Sequence, residues 1–193
     1  MKWKKNDSIR KEFDYEGKLI FEGEYLNEER NGKGKEYYNL NGNLKFEGAY
    51  LNGLRNGKGK EYNFHGNLKF EGEYLNGERN GKGKEYDEDG NLEFEGEYLY
   101  YKKLKGKEYD NGKLIFEGDY LFEKKWNGKG YDEEGNIIYE LNNGNGKVKE
   151  YKKGKLKFEG EYLNGLRNGK GKEYDDNGNL KFEGEYLNGK RKG

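Results

Sequence analysis

A chain of 193 residues with one histidine, one serine and neither threonine nor cysteine has few parts for covalent chemistry. Ser8 is the sole hydroxyl nucleophile outside tyrosine and His65 the sole imidazole, so neither a triad nor a thiolate dyad can be assembled. Carboxylates abound, but Glu22, Glu47, Glu71 and Glu95 recur at regular intervals, whereas a glycosidase pair is two singular residues in a cleft. Asp87-Glu88-Asp89-Gly90-Asn91 and Asp175-Asp176-Asn177-Gly178-Asn179 begin like calcium loops. Their glycine falls at the fourth place, and Tyr98 and Tyr186 stand where a bidentate glutamate belongs, so both read as hairpin turns. The Gly-Lys-Gly triplets lack the serine or threonine of a phosphate loop and read as strand glycines, and His65 in Asn63-Phe64-His65-Gly66 reads as a turn residue. The expectation is a protein without catalytic residues, metal site, cofactor or small-molecule substrate.

Binding chemistry is better represented. Arg30, Arg55, Arg79, Arg167 and Arg191 occupy the same place in the tip of each expected hairpin, with Lys102, Lys103, Lys124 and Lys125 nearby in divergent copies, so stacked units would line them up along one edge. Two readings stand: a row of cations for phosphoinositide head groups or acidic protein segments, or pairing of each arginine with a glutamate such as Glu29 or Glu78 in a solvated lattice. Tyr100, Tyr101, Phe122 and Trp126 break the pattern in its middle and form a candidate partner-binding cluster, since exposed aromatic residues dominate binding hot spots. The alternative is that these rings pack on one another to patch a bend. The 38 basic and 38 acidic side chains are interleaved, which leaves no general nucleic-acid footprint.

These residues are placed by a repeat. The pentapeptide FEGEY, FEGAY or FEGDY starts at 21, 46, 70, 94, 116, 158 and 182, and Tyr139-Glu140-Leu141 stands as a worn copy in the long gap, giving eight units. In Leu68 to Asp87, Leu68, Phe70, Gly72 and Tyr74 share one parity and Lys69, Glu71 and Glu73 the other, which predicts a strand with an aromatic and a charged face. Asn76-Gly77 and Asn80-Gly81 supply turn chemistry, and Gly81 to Tyr86 a second strand. Placing Tyr74 opposite Gly81 or Gly83 sets Glu73 opposite Lys82 or Lys84, so the expected pairing covers a strand glycine with a ring. Mean hydropathy is -1.46, but zero net charge and 16% aromatic content oppose disorder. One hairpin cannot offset an ordering cost of about 1.5 kcal/mol per residue, so stability must come from stacking of rings between units.

The unit FEGEYLNGERNGKGKEY closely resembles the MORN (membrane occupation and recognition nexus) repeat: an aromatic, Glu-Gly, an acidic residue, an aromatic, then Asn-Gly and a paired Gly-x-Gly, here at Gly32, Gly57, Gly81, Gly128 and Gly169. Tyrosine replaces the family's frequent tryptophan and asparagine its frequent histidine. The resemblance implies an all-β fold, an elongated twisted single-layer antiparallel meander of about eight stacked hairpins. It also implies scaffolding and protein contact, membrane or phosphoinositide association in some members and self-association in others. At about 4.8 Å per strand such a sheet runs on the order of 75 Å.

The expected organisation is a cap or flexible segment over 1–9 and one array over 10–193, with irregular units at about 99–148. Ile9 to Phe13 reads as a lone second strand and Lys181 to Gly193 as a first strand plus tip, so unpaired edges give a route to homo-association. The start MKWKKNDSIRKEF has no apolar core of a signal peptide, and a soluble cytoplasmic protein is expected. The leading functional expectation is a non-enzymatic scaffold that takes a protein partner; the alternative is an adaptor on an anionic membrane surface.

Overall fold

The computed structural model describes residues 8–192, and every regular element among them is a β-strand. The expected segment over 1–9 lies outside the described residues up to Asp7, while Ser8 and Ile9 belong to the first strand, β1 (Ser8–Phe13). Eight hairpins follow. They are β2 (Leu19–Leu26) with β3 (Glu29–Tyr37), β4 (Leu44–Leu51) with β5 (Leu54–Tyr62), β6 (Leu68–Leu75) with β7 (Glu78–Tyr86), and β8 (Leu92–Leu99) with β9 (Lys102–Asp110). Then come β10 (Lys113–Leu121) with β11 (Lys124–Tyr131), β12 (Ile137–Leu141) with β13 (Gly146–Lys152), β14 (Lys155–Leu163) with β15 (Leu166–Tyr174), and β16 (Leu180–Leu187) with β17 (Lys190–Arg191). Strands β1 to β12 form one sheet in sequence order and β13 to β17 another, an unclosed single-layer antiparallel meander.

By compactness the chain divides into two units: one holds the repeats up to Gly90 together with Tyr98–Tyr101, the other Asn91–Glu97 with Lys102 onward. In the first, the rings of Phe21, Phe46 and Phe70 are wholly buried, each edge-on to its own tyrosine (Tyr25, Tyr50, Tyr74) and to that of the next repeat. Phe46 meets Tyr74 at 5.1 Å between centroids and 83° between planes, and Phe70 meets Tyr98 at 5.2 Å. In the second unit Phe94 meets Tyr120 at 5.6 Å and Phe158 meets Tyr186 at 5.3 Å. Edge-to-face contact is the favoured geometry of ring quadrupoles, and it ties these hairpins to their neighbours.

The register corrects one expectation. Within the third hairpin Gly72 faces Gly83 and Tyr74 faces Arg79, not Gly81 or Gly83. Asn80-Gly81-Lys82 oppose Glu73 alone, so Asn80-Gly81 forms a bulge inside β7 and the turn is Asn76-Gly77. Gly81 sits at φ 92°, and the Glu73 carboxylate accepts the Lys82 N–H at 2.9 Å across the bulge. The expected pairing exists on the other edge of the strand, between repeats: Tyr74 faces Gly57 and Glu73 faces Lys58. A second bulge, at Lys69, pairs Leu68 with Tyr62 while Phe70 pairs with Glu61. Leu68 therefore leaves the face of Phe70 despite sharing its parity.

The strand glycines are roofed by phenylalanine. A Cβ on Gly72 would lie 2.7 Å from the Gly83 Cα, from the Lys82 carbonyl oxygen and from the Phe70 ring, and one on Gly83 would lie 2.4 Å from that ring. The two backbones approach this closely because neither carries a side chain.

Candidate interaction surfaces

The five arginines lie within strands, on the aromatic face, and not at the hairpin tips as their sequence position suggests. Arg79 faces Tyr74, its side chain 8% exposed, with its guanidinium carbon 4.0 Å from the Phe70 ring centroid. Its Nη2 donates to Glu61 at 2.8 Å and its Nη1 to Glu85 at 2.8 Å, so it bridges the second strands of two successive hairpins. Arg55 lies over Phe46 and grips Glu36 through Nε and Nη2 at 3.0 and 2.9 Å, with Nη1 toward Glu61 at 3.5 Å. Arg30 over Phe21 does the same to Glu12, Arg167 over Phe158 to Glu150 and Glu173, and Arg191 over Phe182 to Glu173. Lys103 over Phe94 and Lys125 over Phe116 take the arginine place in the divergent hairpins.

Tyrosine joins several of these clusters: Tyr50 donates to Glu36 at 2.6 Å, Tyr74 to Glu61 at 2.9 Å and Tyr162 to Glu150 at 2.7 Å. Burial alone would lift the Glu36 and Glu61 carboxyls, but the bonds from Arg55 and Tyr50, and from Arg79 and Tyr74, outweigh it and hold both below the ordinary carboxylate range. Burial, with the neighbouring carboxylate adding to it, pushes the Tyr50 and Tyr74 phenols up. The glutamates engaged are Glu12, Glu36, Glu61, Glu85, Glu150 and Glu173, not Glu29 or Glu78, and the sites are half-buried rather than a solvated lattice.

At the tips every first strand reaches its partner through two residues at positive φ, the type I′ arrangement. Asn52-Gly53, Asn76-Gly77 and Asn164-Gly165 supply it at little cost, but Asn27-Glu28, Tyr100-Tyr101 and Phe122-Glu123 hold it without glycine, Tyr101 at φ 65°. Tips are laced together: the Gly53, Gly77 and Tyr101 N–H groups donate to the Arg30, Arg55 and Arg79 carbonyls at 2.9, 2.8 and 3.0 Å. Tyr100 is 60% exposed, Tyr101 45% and Phe122 73%. The Tyr101 hydroxyl donates to the Gly77 carbonyl of the preceding tip, and Lys102 lies over the Phe122 ring. Trp126 is half-buried within β11, at the place Asn80 holds in β7, and packs against Gly144. In sequence order Leu26, Leu51, Leu54, Leu75, Leu99 and Leu121 are also exposed at the tips.

Sequence-family models for the MORN repeat match residues 21–39, 46–63, 70–92, 158–180 and 182–193, and a MORN repeat variant matches 7–27 and 55–76. The chain belongs to the MORN repeat family. No curated protein matches it as a relative. MORN repeats are modules of protein or membrane-lipid interaction and are not enzymatic in themselves.

The stretch between the matches, 93–157, still folds as MORN hairpins, with substitutions that compensate one another. Tyr139 faces Gly130 and Leu141 faces Gly128, as Phe70 faces Glu61 and Gly72 faces Gly59, so Tyr139-Glu140-Leu141 does stand in the place of Phe-Glu-Gly. Val148, facing Gly160, holds the place of Gly59. Leu141 and Val148 are buried and fill the space a phenylalanine ring covers elsewhere, while Tyr139 stacks on Phe116 at 20° between planes. Residues 137–152 contain no arginine, and here the ladder breaks, β12 and β13 being joined by the Asn142–Asn145 bridge.

On the opposite face of the MORN sheet lysines and glutamates alternate across strands, as in Glu71 between Lys60 and Lys84. Tyrosines at the ends of the second strands bond to them: Tyr37 to Glu22, Tyr62 to Glu47, Tyr86 to Glu71, Tyr109 to Glu95 and Tyr174 to Glu159, at 2.6 to 2.8 Å. Burial and then the Glu47 carboxylate push the Tyr62 phenol up to about 12. The Asp-rich inter-repeat turns are Asx turns: Asp175 accepts the Asn177 and Asn179 N–H groups at 2.8 and 2.9 Å, and His65 is an exposed turn residue. Sequence reasoning missed the Arg-Glu-Phe sandwich, although Arg79, Gly83 and Glu85 share one parity and face Tyr74, Gly72 and Phe70 on the aromatic side.

Proposed function

We propose that this MORN protein is a non-enzymatic, cytoplasmic scaffold that takes a protein partner at the hairpin tips of its irregular middle repeats. The observation that carries the reading is the pair of tips Tyr100-Tyr101 and Phe122-Glu123. There, large rings stand exposed on positive-φ backbone where glycine would be easier, so these tips keep aromatic surface at a conformational cost. Trp126 supports this role from below by bracing the tip at Gly144.

The anionic-lipid alternative through Arg30, Arg55, Arg79, Arg167 and Arg191 is disfavoured because each guanidinium is engaged with carboxylates and stacked on a phenylalanine. Reversible cross-linking followed by affinity capture, comparing the intact chain with Tyr100→Ala/Phe122→Ala, tests the proposal. Loss of a specific partner from the variant supports it, and unchanged recovery overturns it. Flotation with phosphoinositide liposomes at low and high salt tests the alternative, which requires salt-sensitive binding lost in Arg79→Ala. Self-association through the outer edges of β1 and β17 belongs to the same proposal and is read from light-scattering mass against concentration.

A further inference from the structure

Seven tyrosines hold the end of a second strand on the charged face. In five of them, Tyr37, Tyr62, Tyr86, Tyr109 and Tyr174, the hydroxyl is tied to the repeat's own Phe-Glu-Gly glutamate. Tyr131 and Tyr151 hold the same place, facing Ile137 and Leu156 as Tyr62 faces Leu68, yet their hydroxyls make no such bond. The glutamates in the receiving place, Glu117 and Glu140, keep the cross-strand lysine contact of the other repeats, 4.0 Å from Lys107 and 3.7 Å from Lys129, but not the tyrosine.

These two released rings line one cavity of about 230 Å³, within the second unit. Ile115 lines it too, at a bulge position that carries Lys45, Lys69 and Lys157 in three other repeats and Ile20 and Ile138 in two. Asp110, Asp132 and Glu133 complete the wall, against the single ammonium of Lys113, which pairs with Glu133 at 3.2 Å. The wall therefore carries three negative charges and one positive. Its carboxylates are fixed in place: Asp110 accepts the Lys153 and Gly154 N–H groups, each at 2.7 Å, and Asp132 accepts those of Glu134 and Asn136. Burial, followed by the charges of Asp132, Glu159, Glu133 and Glu134, lifts the Tyr151 phenol, as a negative potential around the ring requires.

From these observations we infer that the cavity between the turns at Asp110, Asp132 and Gly154 is a binding site for a small alkylammonium cation, held by the Tyr131 and Tyr151 rings and the surrounding carboxylates. Aromatic faces attract such cations, an apolar isoleucine suits alkyl substituents, and the net negative wall rejects anions. The volume lies below the roughly 300 Å³ at which drug-sized sites begin, so the site takes a head group rather than a large ligand. The chemistry is shared by free quaternary ammonium compounds and by a methylated lysine side chain of a protein.

Titration of the full chain by NMR or calorimetry with tetramethylammonium, choline and a trimethyllysine peptide tests it, with 3,3-dimethylbutanol as the uncharged counterpart of choline. Saturable binding of the cations that perturbs Tyr131, Tyr151 and Ile115, and weak or absent binding of the alcohol, is expected; the tighter of choline and peptide assigns the source. Loss of one ring by Tyr131→Leu or Tyr151→Leu should weaken binding roughly 2- to 30-fold, and Tyr174→Leu, the same position in a tied repeat, should not change it. Asn111→Lys places a cation at the rim on a turn whose backbone already accommodates lysine at Lys153, so it keeps the fold and should abolish binding. Equal affinity for the alcohol, no saturable response to tetramethylammonium, or undiminished binding by Asn111→Lys would overturn the site.

Discussion

Arg79 lies over Phe70, its guanidinium carbon 4.0 Å from the ring centroid, while the same group reaches Glu61 of the preceding hairpin and Glu85 of its own. The phenylalanine in turn roofs Gly72 and Gly83, so one vertical stack of glycine backbone, ring and cation unites two repeats. Removing the cation takes from the half-buried Glu61 and Glu85 carboxylates the partner they share, leaving Glu61 with the Tyr74 hydroxyl and Arg55 at 3.5 Å. Arg79→Ala should therefore cost about 3 to 5 kcal/mol in urea unfolding, the range for a broken buried ion pair. Arg79→Lys, an exchange the chain itself makes at Lys103 and Lys125, should cost much less. A loss no larger than that of an exposed surface pair would show that the stack is not a structural spine.

The same clusters set the response to pH. Glu36, Glu61 and Glu12 are held below their ordinary 4.5, so their contribution is complete above that value and is lost as pH falls through the lowered folded values. The tyrosine series works in the opposite sense. Tyr37, Tyr62 and Tyr109 rise from 10.0 to about 12, so the folded chain keeps protons that the unfolded chain gives up, and stability declines between pH 10 and about 12. Melting temperature against pH should form a plateau bounded by an acid fall below about 4.5 and an alkaline fall from about 10. Glu36→Gln/Glu61→Gln should flatten the acid limb, and Tyr62→Phe the alkaline one.

Much of this was open to reading from residue order alone. The parity of Phe70, Gly72 and Tyr74 gives the aromatic face, Asn76-Gly77 gives the turn, and the FEGEY spacing gives the number of hairpins. What escaped traces to bulges. Asn80-Gly81 has the same two residues as a hairpin turn, and nothing local separates a turn from a bulge that also needs positive φ; only the pairing of Tyr74 with Arg79 decides. Because that bulge adds two residues, Arg79 keeps the parity of Gly83 and is carried onto the ring face, whereas the single-residue bulge at Lys69 sends Leu68 to the other side. The cavity at Tyr131 and Tyr151 was not legible, since it depends on bonds that Glu117 and Glu140 fail to make.

The glycine pair makes a sharp contrast between two substitutions of one kind. Gly72→Ala puts a methyl 2.7 Å from backbone atoms of β7 that cannot give way, and should cost about 3 kcal/mol, the upper part of the overpacking range. At Gly17 a Cβ meets nothing within 4 Å, and only its φ of 80° resists, so Gly17→Ala should cost about 1 kcal/mol. Urea midpoints would measure both. Val148→Gly makes the reverse change in the worn hairpin: it empties buried space that no phenylalanine ring roofs, and should destabilise rather than restore the repeat.

The tips yield the last expectation, one of gain. Glu28 occupies φ 68° in the turn Asn27-Glu28, where the equivalent turns at Asn52 and Asn76 place glycine. A side chain there crowds the backbone, and glycine relieves it. The ion pair from Arg10 to Glu28 is exposed on both sides and screened by water, so it offers little to set against that relief. Glu28→Gly should raise the melting temperature by a few degrees, whereas Gly53→Glu, which builds the Glu28 arrangement into the next tip without an Arg10 to receive it, should lower it. Tyr101→Gly adds the informative comparison: it relieves the same backbone but deletes the hydroxyl bond to the Gly77 carbonyl, so its gain in melting temperature should be smaller than that of Glu28→Gly. Thermal unfolding of the three variants under one buffer would rank them, and a fall for Glu28→Gly would mean that its carboxylate, not its backbone, governs that turn.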